Sequence, residues 1–239
     1  MLSIVKSVAL HGLQGYLVNI QVDVSAGMPA FEIVGLPGTS IREAKERVKT
    51  AIKNSTSEFL SRKIVVNLAP ANTRKEGSSF DLPISIGILI ATGIIKRCFL
   101  DDTIFIGELS LDGGLEKVKG VLPICIEAKN LGIKRIVLPK ENYKEATIVK
   151  DIEIVPISNL NEVIKFLNNK IEIKGEKNNF IDISMKSNYK FDFSEVKGQE
   201  NVRRALEITA AGGHNCLMIG SPGSGKTMMA KRLVTILPE

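Results

Sequence analysis

Tryptophan is absent from the 239 residues, and histidine occurs only as His11 and His214. Two imidazoles exclude any mechanism that needs several, and neither has a second ligand at metal-binding spacing, so both read as turn residues. Cysteine is scarce too: Cys98, Cys125 and Cys216 are odd in number, far apart and never in CxxC spacing. That excludes a disulfide framework or a zinc cluster and predicts inert core or near-core thiols in a reducing cytoplasm. No apolar run is long. The longest uncharged stretch, Leu82 to Ile95, contains glycines and falls short of the roughly 20 residues that span a bilayer, so it reads as a buried helix and no membrane partner is expected. The start, MLSIVKSVALHG, lacks the basic segment, apolar core and cleavage site of a signal peptide, and export is not expected.

What is present is an ordinary globular mixture, 44% hydrophobic and 24% charged, long enough for one or two domains. Lysine and arginine exceed aspartate and glutamate by 32 to 26, a net charge of +6. This fits a polyanion partner without requiring one. SIVKSVAL and LVNIQVDVSAG alternate apolar and polar residues, the pattern of half-buried strands forming a hairpin near Gly12 to Gly15. Ser40 and Glu43 have capping-box spacing before a helix whose Ile41, Ala44, Val48 and Ala51 follow the three-and-four rhythm. Beyond it, RKIVVNLAP predicts a strand, Leu82 to Ile95 a helix with Pro83 in its first turn, and TIFIGELSL another strand. The alternation continues with a helix closed by Gly132, the strand RIVLP, a short helix near Asn142 to Ala146, the strand EIVPI and the helix NLNEVIKFLNN. Residues 1–167 therefore read as one α/β (α+β) domain.

Residues 168–190 are rich in lysine and asparagine and read as a linker. Residues 191–239 begin a second pattern: a turn, a helix from about Gln199 to Ala211 ended by a double glycine, and the apolar run HNCLMIG, typical of a buried parallel strand. Gly220 to Thr227 reads GSPGSGKT, which satisfies G-x-x-x-x-G-K-[ST] at every fixed position. The spacing carries chemistry. Gly220, Gly223 and Gly225 let the backbone curl so that successive N–H groups form an anion nest at the positive end of the following helix. Lys226 brings a mobile ammonium to the β and γ phosphates of ATP or GTP, and the Thr227 hydroxyl is placed to ligate Mg²⁺. Hydrolysis needs an acidic residue on a later strand and usually an arginine at the γ phosphate. Neither can be placed, so no catalytic residue is assigned. One strand and one helix cannot cover each other's apolar faces, so Leu217, Met218, Ile219 and Leu233 are expected to lack most of their packing partners, as in a truncated nucleotide-binding domain, inactive alone.

Residues Phe191 to Leu237 resemble the start of the AAA+ module in the magnesium-chelatase-like ATPases of the ComM or YifB family. In that family a VxGQ turn helps form the adenine pocket, so the resemblance implies ATP, with Val196, Gly198 and Gln199 near the base. The implied cofactor-binding set is Gly220, Ser221, Pro222, Gly223, Ser224, Gly225, Lys226, Thr227 and Met228, joined by those three. Ser221 departs from the proline usual in the family, at a position whose side chain is not a ligand. The first domain resembles the same family through GLPGTSIREAKERVKTAI, NLAPANTRKEGSSFDLPISIGIL and GELSLDGGLEKVKGVLP. The resemblance implies a ribosomal-S5-domain-2-like fold, shared with the proteolytic domain of Lon, in a bacterial cytoplasmic motor that is hexameric when complete. Its implied work is remodelling branched or single-stranded DNA, with two alternatives: a magnesium-chelatase ATPase subunit, or a module that binds DNA or protein without turnover.

The Lon likeness places Ser79, in EGSSFDL, where a Ser/Lys peptidase holds its nucleophile. The segment aligned with the required lysine carries Leu122 or a neighbouring apolar residue instead, with Lys117 and Lys119 out of register, so no peptidase activity is expected. Ser79 then reads as a helix N-terminal residue satisfying backbone N–H groups. Arg203 and Arg204 read as a solvated helix face, as does the basic run Lys45, Arg47, Lys49, Lys53, Arg62 and Lys63, which Glu43 and Glu46 interrupt.

Overall fold

The computed structural model describes residues 1–56, 61–96, 100–173 and 191–237. Cys98 and most of the stretch read as a linker lie outside the described residues. The chain divides into two compact units, Met1–Asn178 and Asn179–Glu239.

The first unit is an α/β structure on a seven-stranded, mostly parallel sheet. Its strands are β1 (Leu2–His11), β2 (Gln14–Ser25), β3 (Ala30–Val34), β4 (Lys63–Ala69), β5 (Thr103–Phe105), β8 (Arg135–Pro139) and β9 (Glu153–Ile157). They lie in the order β3-β4-β2-β1-β5-β8-β9. A small antiparallel pair, β6 (Glu108–Leu109) and β7 (Leu115–Glu116), stands apart. The expected hairpin forms, with His11 opposite Gln14 and a left-handed Gly12 in the turn.

The alternation in β2 explains the layering. Val18, Ile20, Val22 and Val24 are buried beneath α1 (Thr39–Thr56) and α2 (Asp81–Ala91), while Leu17, Asn19, Gln21 and Asp23 are only partly covered. This antiparallel half therefore has one wetter face, on which Asn67 donates to Gln21 across the strands at 2.9 Å. In the parallel half both faces are filled. Phe105, Val137 and Val155 join the cluster with α1, α2 and α5 (Leu160–Leu167), whereas Ile104, Ile136, Leu138 and Ile154 join the one with α3 (Val121–Asn130) and α4 (Tyr143–Ala146).

All eleven residues of α2 are buried, as befits a helix that is apolar on every side. Its approach to the sheet is close enough to require glycine at position 87. A Cβ there would stand 2.5 Å from Val22 Cγ2, and Ser3 Oγ donates to the Gly87 carbonyl at 2.7 Å.

Three local expectations need correction. The first α-helix starts at Thr39 rather than after Ser40; Ser40 lies inside it, its carbonyl accepting from Arg47 at 3.2 Å. TIFIGELSL is not one strand, because the chain leaves the main sheet after Phe105 and pairs Glu108 with Glu116 instead. Ser79 does not cap α2 through its hydroxyl: Phe80 is the N-cap, without a side-chain hydrogen bond, and Ser79 serves through its carbonyl, which accepts from Gly107 N at 2.9 Å.

The second unit holds α6 (Glu200–Gly212) and α7 (Lys226–Leu233) around a small core of Phe193, Val196, Leu206 and Met229. HNCLMIG, expected as a parallel strand, has no strand assignment. Leu217 and Ile219 are 84% and 88% exposed, and Cys216 is exposed rather than near-core. A strand exists only through hydrogen bonds to a neighbour, and among the described residues none lies alongside this segment. Met218 and Leu233 are partly buried against the small core, while Leu217 and Ile219 pack against nothing of comparable extent among the described residues.

Candidate functional site

The GSPGSGKT segment forms a tight loop between the extended run and α7. Gly223 and Gly225 sit at φ of 81° and 82°, conformations that a Cβ would strain. Gly220 has no such requirement. Ser224 N donates to Ser221 O at 3.3 Å, and Met229 N to Gly225 O at 3.0 Å, which starts the helix. Gly225 is the N-cap of α7 and offers no side chain to the first-turn N–H groups. Those donors are therefore open to an anion at the positive end of the helix.

Lys226 leads the helix with its side chain turned back over the loop. Its Nζ donates to Gly220 O and Ser221 O, each at 2.8 Å, and to Ser224 Oγ at 3.2 Å. The ammonium is thus held over the curl by oxygen atoms alone. Thr227 and Met228 are exposed, the latter 40%. Buried Met229 anchors the helix in the small core.

Of the residues expected at a nucleotide base, Gln199 reaches the same loop. Val196 is buried beside Met229, and the turn after it has left-handed Gly198 and Gln199, at φ of 72° and 51°. Gln199 is the N-cap of α6, and its Nε2 donates to Ser224 O at 3.1 Å. One side chain therefore joins the VKGQ turn to the loop, across 25 positions of sequence. Outside the loop, Arg232 grips Glu195 through Nε and Nη2 at 3.0 and 2.6 Å and stacks over Phe191, 4.9 Å from the ring centre. These contacts tie α7 to the turn at Phe193–Glu195.

The donor set suits a polyphosphate: open helix-start N–H groups, two glycines in the conformation a nest needs, one ammonium over the loop and one exposed hydroxyl. Thr227 is the residue that could reach a Mg²⁺ held by such an anion. Arg204 is exposed as expected and pairs with Glu207 at 3.1 Å. Arg203 differs, since its Nε is buried without a hydrogen-bond partner; the helical period alone had no means of showing this.

In the first unit the basic run is divided by burial. Arg47 leaves it to bind fully buried Asp81, with Nε to Oδ2 at 2.7 Å and Nη2 to Oδ1 at 3.1 Å. Burial pushes the Asp81 carboxyl above its ordinary range, and Arg47 pulls it back. The lone carboxylate at the head of an apolar run was the signal for this pair. Lys75, also buried, donates to the carbonyls of Gly35 and Pro70, and burial lowers its pKa. Ser79 lines a cleft with Ser78, Glu108, Lys117 and Lys119. Ser78 Oγ donates to Glu108, both lysines are exposed, and Leu122 sits partly buried in the first turn of α3, its N–H donating to Glu145. His11 ends β1 and His214 follows left-handed Gly213; both are exposed.

A family model described as subunit ChlI of Mg-chelatase matches residues 20–142, and one described as magnesium chelatase, subunit ChlI, matches residues 192–239. The chain is 41% identical over 242 residues to competence protein ComM of Haemophilus influenzae, an alignment covering 100% of this chain and 47% of that protein. It is 40% identical to protein YifB of Escherichia coli, covering 100% of this chain and 46% of the relative. Lon protease 2 of Bacillus subtilis is 30% identical over 67% of this chain and 32% of its own length. The chain thus spans about half the length of the ComM and YifB relatives.

Proposed function

The chain belongs to the magnesium-chelatase-like AAA+ family of ChlI, ComM and YifB, and from that membership we propose that residues 191–239 begin an ATP-binding module. The observation that carries this is the meeting at Ser224: Gln199 of the turn and Lys226 of the loop both bond to that residue. A base held near Val196, Gly198 and Gln199 would then leave its phosphates over Gly220 to Thr227.

The geometry supports a role for each residue. Backbone N–H groups at the start of α7 take phosphate oxygens, and Lys226 moves from the loop carbonyls to the outer phosphates. Thr227 Oγ1 supplies one ligand to Mg²⁺, and Met229 keeps the helix start in place. Bound ATP supplies a phosphoanhydride whose hydrolysis releases free energy to the motor.

In this reading residues 1–167 are the S5-domain-2-like, Lon-related domain, 168–190 the linker, and 191–239 the first part of the AAA+ module. The complete protein is a cytoplasmic hexamer that remodels branched or single-stranded DNA. Likeness to ComM favours this over the chelatase-subunit reading, since the match covers the whole chain.

The test is Mg²⁺-ATP binding to the chain by titration calorimetry. We expect Lys226→Ala to abolish binding and Thr227→Ala to remove its Mg²⁺ dependence. Unchanged affinity in Lys226→Ala would overturn the site assignment.

A further inference from the structure

The first unit carries a groove that the ATP site does not use. It lies at the sheet edge formed by β3, and Pro29, Ala30 and Phe31 form one wall. Ile64 of β4 and Ile88 of α2 form the floor, and Lys45, Glu46 and Lys49 of α1 with Arg62 form the rim. Its volume is about 190 Å³. Three cations and one anion thus surround an apolar floor and a wall that carries a partly exposed aromatic ring.

We propose that this groove binds single-stranded nucleic acid, with a base against Phe31 and the flanking phosphates on Lys45, Lys49 and Arg62. The proposal deepens the DNA part of the function given above and rests on it; it does not rest on ATP binding.

Three observations select this ligand. The first is the combination of ring and cations: every base has a π face that stacks on an aromatic side chain, while lysine and arginine track the backbone whatever the sequence. An acidic peptide would use the rim but has no need of the apolar floor. The second is spacing, because Lys45 and Lys49 are four residues apart on α1 and so lie on one face, about 6 Å apart along the axis. Two successive phosphates of an extended strand can each meet an ammonium. The third is access, since among the described residues β3 has no strand on its outer side. A duplex keeps its base faces stacked inside and cannot place one on Phe31.

Arg47 sharpens the surface by its absence. Sequence alone puts it in the basic run, but its guanidinium is committed to Asp81. The polyanion face is therefore narrower than the run suggests and centres on the groove. Glu46 sits on the rim as a hydrogen-bond acceptor for exocyclic amino groups of a base.

The experiment follows fluorescence anisotropy of a labelled short oligothymidylate on the full chain through a NaCl series. With three phosphate contacts, log K should fall against log salt with a slope of about −2. Lys45→Gln with Arg62→Gln should weaken binding and flatten that slope. Phe31→Leu, which preserves apolar burial, should weaken binding about tenfold at an unchanged slope, and Phe31→Tyr should restore it. Melting followed by circular dichroism verifies that each variant is folded, and Lys226→Ala should bind the oligonucleotide as the native chain does.

Oligonucleotide binding that none of the groove variants alters overturns the groove and leaves the DNA reading standing. No binding by the native chain overturns both, independently of the ATP titration. Equal affinity for a duplex, or displacement by polyglutamate as efficiently as by unlabelled oligonucleotide, also overturns the proposal, the latter in favour of an acidic peptide.

Discussion

Lys226 and Arg47 are both cations held by oxygen atoms, yet their removal should have opposite consequences. Lys226 opens α7 beside a loop exposed to solvent, so its truncation should change stability by no more than about 0.5 kcal/mol while removing ATP binding. Arg47 is the partner of a carboxylate that water cannot reach. Arg47→Met leaves Asp81 buried and unpaired, and should lower unfolding stability by about 3–5 kcal/mol in urea titrations. A loss below about 1 kcal/mol would show that Asp81 is not buried as an ion. The thiols divide in the same way. Cys125 is buried, and desolvation with nearby Glu145 pushes its pKa up to about 12. Below that pH it is a thiol and not the reactive thiolate. Iodoacetamide at pH 8 should modify the peptide carrying exposed Cys216 and spare the one carrying Cys125, as read by peptide mass mapping; equal labelling would contradict this burial.

At the scale of elements, α2 is the piece on which the first unit is assembled. Glycine to alanine in a helix interior ordinarily stabilises by about 1 kcal/mol. Gly87→Ala should instead destabilise by roughly 1–3 kcal/mol, because the new methyl meets Val22 at 2.5 Å. A raised melting temperature would mean that the helix stands further from β2. Legibility also divides along element lines. The first α-helix and the helix closed by Gly132 were readable, since apolar spacing and left-handed glycines act over one or two turns, whereas α2 was readable from its uncharged run, which overstates its end at Ala91. TIFIGELSL was misread because continuous apolarity does not reveal where a strand leaves its sheet. HNCLMIG was misread for a related reason: its composition suits a buried strand, but composition cannot provide the neighbour.

For the molecule as a whole, protection should follow pairing. In hydrogen exchange on the 239-residue chain, amides of β1 and β2 facing each other should be among the slowest, and those of residues 215–219, which donate no backbone hydrogen bond among the described residues, should exchange at nearly unprotected rates. Slow exchange at 215–219 would show that this run is already paired.

The loop from Gly220 to Thr227 was legible residue by residue, because its curl depends on glycines and a lysine within eight positions and on a helix that follows at once. So were the helical faces, whose period is a local property of the backbone. Which charges stay in water was set by the packing of distant segments. Arg47 and Asp81 are 34 positions apart, and Lys75 reaches Gly35 across 40. The groove joins residues from Pro29 to Ile88 that no local pattern groups together. Burial and pairing arise when layers pack, and packing brings together parts of the chain that short-range interactions cannot relate.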